Sequence, residues 1–333
     1  MPVPFYVHAS MTDQRDLHPD RAESGKPPLI VIVGPTAVGK TRLSLMLAEQ
    51  FNGEIVNADS RSFYRGMDIG TAKVSLEERE RVPHHLIDIL DPNDSVSLAL
   101  FQDMAYASVR DITVRGKTSF LVGGTPQYVN AVVEGWNIPR VEPDSDFRLL
   151  LEREAAEHGF ENLLERLRVV DPESAIRTGS NVRRIIRALE VYEKTGRPMS
   201  EQQSKGPAPF RALELGLWRP REDLHRRIDE RVHSQIAEGL FDEIRSLLSQ
   251  GVSPESAAFT SIGYRQGMPY IRGEATADEV AERIRLDTRR LVRHQETWWR
   301  KNPRLLRIDL TQPDETTRVQ RAVAVHLGDE GGS

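Results

Sequence analysis

Gly34-Pro35-Thr36-Ala37-Val38-Gly39-Lys40-Thr41 follows an apolar run, Leu29 to Val33, and opens a segment in which Leu43, Met46 and Leu47 recur at helical spacing. Strand, glycine-rich loop and helix in that order, with the spacing G-x-x-x-x-G-K-T, make the phosphate-binding loop pattern. The amides of such a loop can surround phosphate oxygens, and the following helix adds the positive end of its dipole. Lys40 offers a point charge to the outer phosphates and Thr41 a hydroxyl to Mg²⁺. A glycine-rich turn without a ligand would leave the Lys40-Thr41 pair unexplained. The pattern does not say which phosphate compound is bound.

The surrounding sequence continues a strand-helix rhythm. Glu54 to Ala58 reads as a short strand ending at Asp59-Ser60, and ligands in open α/β sheets bind beyond the carboxyl ends of strands. Gly66 to Lys73 has no period and reads as a structured loop over the site. Val82 to Ile89 leads into a further strand that stops at Asp91-Pro92. His84, His85 and Asp88 suggest a metal cluster less well than they suggest strand neighbours on opposite faces. A helix over about 98–114 and a strand at 119–122 complete the rhythm of a doubly wound parallel sheet. That last strand ends in Gly123-Gly124-Thr125, not in the aspartate that many phosphate-loop ATPases place there. A glycine pair at that point would let a ligand approach the backbone closely.

From Pro139 onward strand signals vanish and charge-laced helical segments take over (146–158, 161–170 and 181–195). The expected fold is therefore α/β: a phosphate-loop core over 29–138 and 208–310, interrupted by an all-helical insertion over 139–207. Residues 1–28 read as a disordered extension and 311–333 as a flexible polar tail. After the returning strand at 213–218, a helix carries Leu224, Ile228, Val232, Ile236 and Leu240 as a core stripe. Arg227 and Arg231 lie beside it, and pairing of Arg227 with Asp223 would leave Arg231 freer to meet an anion. Ile262-Gly263-Tyr264-Arg265 reads as a loop. A final long helix from Ala277 to about Arg300 ends in Trp298-Trp299, a basic stripe with terminal aromatics that suits RNA, although a tryptophan at a helix end more often belongs to the core.

Composition narrows the class. There is no apolar run long enough to span a bilayer, no secretory pattern at the start, and no cysteine to form a disulfide or ligate zinc. The cytoplasm is the default location, without a membrane or a stable protein partner. The net charge of −5 argues against nucleic acid until it is divided along the chain. It is −7 over residues 1–170 and +4 over 171–310, and the basic excess is nearly all arginine. Arginine is favoured where phosphate is gripped in a fork.

Taken in order, GPTAVGKT, Ala58-Asp59-Ser60, Tyr64 with Gly66 to Lys73, VPHHLIDILDP, LVGGT with Tyr128, Arg187 to Val191 with Thr195-Gly196, Ile262 to Tyr264, and Gln295 with Thr297-Trp298 resemble the tRNA dimethylallyltransferases. The blocks span about residues 29–300. The resemblance implies transfer of a dimethylallyl group from dimethylallyl diphosphate to N6 of the adenosine 3′ of the anticodon, position 37 of the tRNA, with release of diphosphate. It implies that residues 34–41 hold the diphosphate and that Lys40, Thr41 and Mg²⁺ stabilise the charge of the leaving group. Arg231 matches the family's arginine at this point. Asp59 matches the carboxylate that meets the N6 amine, and Thr125 a residue near the target base. The adenosine would have to leave the loop stack to reach them. The family implies a channel, open to the donor on one side and to the base on the other. Asp59, Ser60, Arg61, Ser62 and Thr125 are expected to contact the tRNA anticodon stem-loop. The same holds for Arg183, Arg184, Ile185, Ile186 and Arg187, and for Thr260, Ser261, Ile262, Gly263, Tyr264 and Arg265. Ser62, Gln127, Val182 and His294 depart from the family's usual residues.

Two other classes compete. A kinase of a small metabolite or nucleotide would use the same loop, turn over ATP and leave the basic helical insertion idle. A non-catalytic RNA-binding relic would have no need of intact Lys40, Thr41, Asp59 and Arg231.

Overall fold

A computed structural model describes residues 25–328, and the expected N-terminal extension lies almost entirely outside them. The phosphate-loop half begins with β1 (Pro28–Val33), α1 (Lys40–Gln50), β2 (Gly53–Asn57), α2 (Leu76–Arg81), β3 (His84–His85), α3 (Leu98–Val114), β4 (Thr118–Gly123) and α4 (Pro126–Val133). Then come β5 (Trp136–Asn137), five helices, α5 (Ser145–His158), α6 (Glu161–Val170), α7 (Pro172–Thr178), α8 (Val182–Thr195) and α9 (Met199–Gln202), and β6 (Ser204–Lys205). The chain closes with β7 (Arg211–Trp218), α10 (Arg221–Ala237), α11 (Leu240–Ser249), α12 (Tyr264–Ile271), α13 (Ala277–Trp299), β8 (Leu306–Asp309) and α14 (Glu315–Leu327).

Two compact units result, one from the described residues up to 133 together with those from 209 onward, the other from 134–208. In the first, six parallel strands run in the order β3-β2-β4-β1-β7-β8. Strand β1 is central because Leu29 to Val33 are apolar without alternation, as a parallel strand covered on both faces requires. Its ladder with β4 ends at Val33 opposite Gly123, and its ladder with β7 at Val33 opposite Gly216. The phosphate loop therefore leaves the middle of the sheet at its carboxyl edge. The second unit has its own core, in which Leu151, Leu163, Leu167, Ile185, Ile186 and Leu189 are buried together.

Several elements differ from the sequence reading. The strand expected through Ile89 stops at His85, because Leu86 and Asp88 take positive φ (61° and 55°). Asp88 is turned there toward Lys73 and Arg79, at 2.6 Å from each. The stripe ending at Leu240 is split between two helices, since Gly239 (φ 101°) breaks the backbone before Leu240. Ile262 to Arg265 is a loop only up to Gly263, and α12 starts at Tyr264. The tail expected to be flexible over 311–333 contains α14, whose buried Val319 and Val323 pack it against β1 and β8. Two buried valines four residues apart make a narrow stripe in a segment that opens on Glu315, Thr316, Thr317 and Arg318.

Candidate active site

The loop between β1 and α1 is held from three sides. Gly34 takes φ 152°, and a Cβ there would stand 2.9 Å from the carbonyl oxygen of Leu217, so only glycine fits beside β7. Gly39 (φ 110°) is the N-cap of α1, whose first residues are Lys40 and Thr41. Lys40 curls back across the loop and donates to the carbonyls of Gly34 (3.0 Å) and Pro35 (2.9 Å). Burial lowers its pKa to about 8; Asp59 opposes that shift and Arg231 adds to it.

Arginines brace the outer rim. Arg231, half-buried on α10, donates to the hydroxyl of Thr36 at 3.1 Å. Arg227, one turn earlier, donates to the carbonyl of Ala37 at 2.7 Å, and Arg219 to that of Val38 at 2.8 Å. The expected pairing of Arg227 with Asp223 does not form, because Asp223 is taken by Arg219 (2.8 Å) and Arg226 (2.5 Å). The cationic rim thus gains two residues, Arg227 and Arg219, beyond the Arg231 that the sequence suggested. Arg219 sits just past β7, and only the return of that strand beside β1 brings it to the loop.

Asp59 stands past the end of β2, as the topology required. Its Oδ1 accepts from the amide of Arg61 at 3.0 Å. Asn57, which sequence reasoning passed over, accepts from the amide of Asp59 at 3.2 Å and donates to the carbonyls of Asp59 (3.1 Å) and Leu86 (2.9 Å). One buried amide thereby holds the turn that aims the carboxylate. Thr125 lies across from it, its hydroxyl 3.5 Å from the amide of Ser60.

Two cavities, about 620 and 500 Å³ in volume, share Thr36, Lys40, Asp59, Thr71 and Arg231 in their walls. The larger is lined by Gly39 to Arg42 and by Arg227. The smaller is lined by Ser60, Arg61, Gly124, Thr125, Thr260, Ser261, Ile262, and by Thr288, His294, Gln295 and Trp298 of α13. Trp299 turns the other way and is buried, so the paired tryptophans divide between cavity and core.

Thr71 reaches both cavities from a tightly held loop. Glu243 on α11 accepts the amides of Asp68 (2.8 Å), Ile69 (2.8 Å) and Gly70 (3.1 Å). Gln235 on α10 donates to the carbonyls of Ile69 and Gly70, each at 2.9 Å. Lys73 runs underneath to Asp68 and Asp88, at 2.6 Å from each.

Other expected contacts fall elsewhere. Ser62 lines the larger cavity beside the phosphate loop and not the one that holds Arg61 and Thr125. Tyr264 is fully buried and Gly263 is covered, with the Tyr264 ring packed under Gly70 and its hydroxyl bonded to Glu243, so neither lies on the surface. Arg265 is exposed and meets Asp287 at 3.5 Å. In the second unit, Ile185 and Ile186 are core residues, not surface ones. Arg187 is spent on Glu190 and on the carbonyls of Val141 and Pro139. Arg183 and Arg184 stand exposed on α8, their side chains unpaired among the described residues. The glycine pair at the end of β4 is required by close packing, and Gly123 and Gly124 each line one of the two cavities. A Cβ on Gly123 would collide with the backbone of Ala58, and one on Gly124 would meet Gln295 and Lys40.

No group of three acidic, histidine or cysteine side chains that could hold a metal exists among the described residues. His84 bonds the carbonyl of Val82 and His85 bonds Glu54, both at 2.7 Å, so the pair serves the fold. Thr41 lines the larger cavity, and its hydroxyl makes no hydrogen bond among the described residues. A lone hydroxyl beside a phosphate site fits Mg²⁺, which is usually held by few protein groups together with substrate phosphates and water. No helix in the described residues is long and apolar enough to cross a membrane.

Comparison with known proteins gives one consistent result. The model of a family described as IPP transferase matches residues 62–302. The chain is 52% identical to a tRNA dimethylallyltransferase of Roseiflexus castenholzii, over 90% of this chain and 97% of that one. It is 48% identical to one of Thermomicrobium roseum, over 91% and 92%. Among solved structures it resembles the full-length tRNA isopentenylpyrophosphate transferase of Bacillus halodurans (38% identity, TM-score 0.68, 91% of this chain and 98% of that one). It also resembles a eukaryotic dimethylallyltransferase acting on tRNA (29% identity, TM-score 0.76, 91% and 79%).

Proposed function

The chain belongs to the IPP transferase family and is a prenyltransferase that modifies tRNA, and we propose that it carries a dimethylallyl group from dimethylallyl diphosphate to N6 of the adenosine 3′ of the anticodon. The observation that carries the site assignment is the meeting of two cavities at Lys40, Asp59 and Arg231. The larger, walled by the phosphate loop, takes the donor. The smaller takes the adenosine, flipped out of the anticodon loop.

The chemistry follows from that placement. The N6 lone pair attacks C1 of the donor, the bond from C1 to the bridging oxygen breaks, and diphosphate leaves with the bonding electrons. Lys40, Arg231 and the loop amides face the charge that grows on the leaving oxygens. Their positions are set before reaction by hydrogen bonds to Gly34, Pro35 and Thr36, so little reorganisation accompanies bond breaking. Asp59 accepts the proton that N6 gives up. Thr125 orients the base. Mg²⁺, held by Thr41 and the diphosphate, would add positive charge on the leaving group. Arg183 and Arg184 grip the phosphates of the stem-loop, the partner we assign to the second unit, and the reaction belongs in the cytoplasm, where tRNA is modified.

One incubation tests the reading. An anticodon stem-loop with three consecutive adenosines, the middle one 3′-adjacent but one to the anticodon's second base, is mixed with Mg²⁺ and labelled dimethylallyl diphosphate, then digested and weighed by mass spectrometry. The expected result is a single dimethylallyl adduct on that middle adenosine. ATP turnover with a small acceptor, and no adduct, would return the protein to the kinase class.

A further inference from the structure

Gln295 on α13 is 8% exposed, and both ends of its amide are committed. Oε1 accepts the amide N–H of Thr36 at 3.0 Å, and Nε2 donates to the carbonyl of Gly124 at 2.8 Å. These partners fix the orientation of the amide, since the N–H requires the oxygen and the carbonyl requires the nitrogen. The two segments it joins are the ones that face the two reactants. Thr36 belongs to the phosphate loop, and Gly124 immediately precedes Thr125. The sheet cannot hold them together at this point, because the ladder between β1 and β4 ends at Val33 opposite Gly123. Past that pair the strands give way to separate loops, and Gln295 supplies the next two hydrogen bonds between them. The fit is close: a Cβ on Gly124 would stand 2.8 Å from Nε2 of Gln295.

We propose that Gln295 is a positioning residue for prenyl transfer, setting the distance between the diphosphate held by the phosphate loop and the adenosine held beside Thr125. The inference rests on the assignment of the two cavities to donor and acceptor. Each reactant has its own binding groups, so loosening the bridge leaves both sites able to bind. It spoils the alignment of C1 with N6, and a misplacement of about 1 Å can cost on the order of 10²-fold in rate.

Two variants test this by different routes. Gln295→Met keeps the length and volume of the side chain and removes both hydrogen bonds. Gly124→Ala leaves Gln295 in the sequence and pushes its amide off the carbonyl. The measurements are kcat at saturating donor and stem-loop, Kd for dimethylallyl diphosphate and for the stem-loop taken separately, and Tm. Both variants are expected to lose roughly ten- to a hundredfold in kcat while each Kd stays within about threefold of wild type. A purely structural role would lower Tm and leave kcat of the folded fraction intact, which overturns the proposal. So does a loss accounted for entirely by weaker binding of either reactant. If Gln295→Met does not fold, Gly124→Ala decides by the same split. Transfer by the wild-type protein in the same reactions separates this test from that of the reaction itself.

Discussion

The hydroxyl of Tyr264 donates to Oε1 of Glu243 at 2.5 Å, and Glu243 in turn accepts three consecutive backbone amides, those of Asp68, Ile69 and Gly70. A buried phenol thus completes a carboxylate clamp on the loop that brings Thr71 to both cavities. Burial and the neighbouring carboxylate push the phenol's pKa far up, so it remains a donor at every working pH.

Removal of the two partners has unequal consequences. Tyr264→Phe leaves Glu243 with its three amides and is expected to cost about 1 kcal/mol, the usual net value of one hydrogen bond. Glu243→Ala removes the acceptor of the half-buried amides of Ile69 and Gly70 and of the buried phenol, while the exposed amide of Asp68 can turn to water; each unsatisfied buried group costs about 1–3 kcal/mol. Urea unfolding should show Glu243→Ala destabilised by at least about 2 kcal/mol more than Tyr264→Phe. Equal losses would mean that water replaces the carboxylate freely and that the clamp is not what holds the loop.

Asp59 is the group whose chemistry is most separable from binding. Its carboxylate reaches the junction of the cavities, and its backbone is held independently by Asn57. Asp59→Ala should lower kcat by at least about 10²-fold, the lower end of general-base contributions, with stem-loop affinity nearly unchanged. Single-turnover rates on pre-bound RNA supply the check. A variant that binds RNA poorly but reacts normally once bound would assign Asp59 to recognition. Asn57→Ala should reproduce part of the kinetic loss, because the turn carrying Asp59 loses three hydrogen bonds.

What could be read in the sequence was what is local. The phosphate loop declares itself because strand, glycines, Lys40 and Thr41 are consecutive, and their geometry is fixed by the backbone they share. Asp59 could be placed because a strand end in a parallel sheet predicts its own neighbourhood. Arg219 and Gln295 are different: each acts on backbone brought near only by tertiary packing, so Gln295 stood out only as part of a family block and not for the bonds it makes. Asn57 bonds both the amide and the carbonyl of Asp59, two residues on, but its tie to Leu86 depends on the fold. The same limit explains Ile185, Ile186 and Tyr264. Each sits in a segment singled out for its motif, while its own side chain builds the core beneath that segment.

The surface of α8 separates two arginines that sequence alone could not. Arg184 is exposed and unpaired among the described residues, whereas Arg187 is bound to the fully buried Glu190 and to two carbonyls. Arg184→Ala should weaken stem-loop binding, reduce the slope of log affinity against log salt by about one, and leave unfolding unchanged. Arg187→Ala should do the reverse, lowering stability with little change in salt slope. Filter binding across a salt series, with thermal melts of both variants, reads both effects. An unchanged slope for Arg184→Ala would return that helix face to the solvent.

Lys40 gives the last prediction, and its sign follows from burial. In the free protein its pKa is lowered from 10.5 to about 8, so the ammonium begins to lose its proton just above neutrality. The linkage to stability runs upward: below pH 8 the folded state bears the cost of a buried charge, and that cost is relieved as pH rises toward 10.5. Donor binding runs the opposite way, because the diphosphate needs the charged form and holds the proton on. Affinity for dimethylallyl diphosphate should therefore be flat up to about pH 8 and then fall, approaching tenfold per pH unit if binding requires the ammonium absolutely. Isothermal titration between about pH 7 and 9.5, a range in which the other reference side-chain pKa values leave carboxylates and arginines charged, would trace it. Lys40→Met should bind the donor weakly throughout and lose the break. A break that persists in Lys40→Met would belong to another group, and the charge on Lys40 would then not be what the donor titrates against.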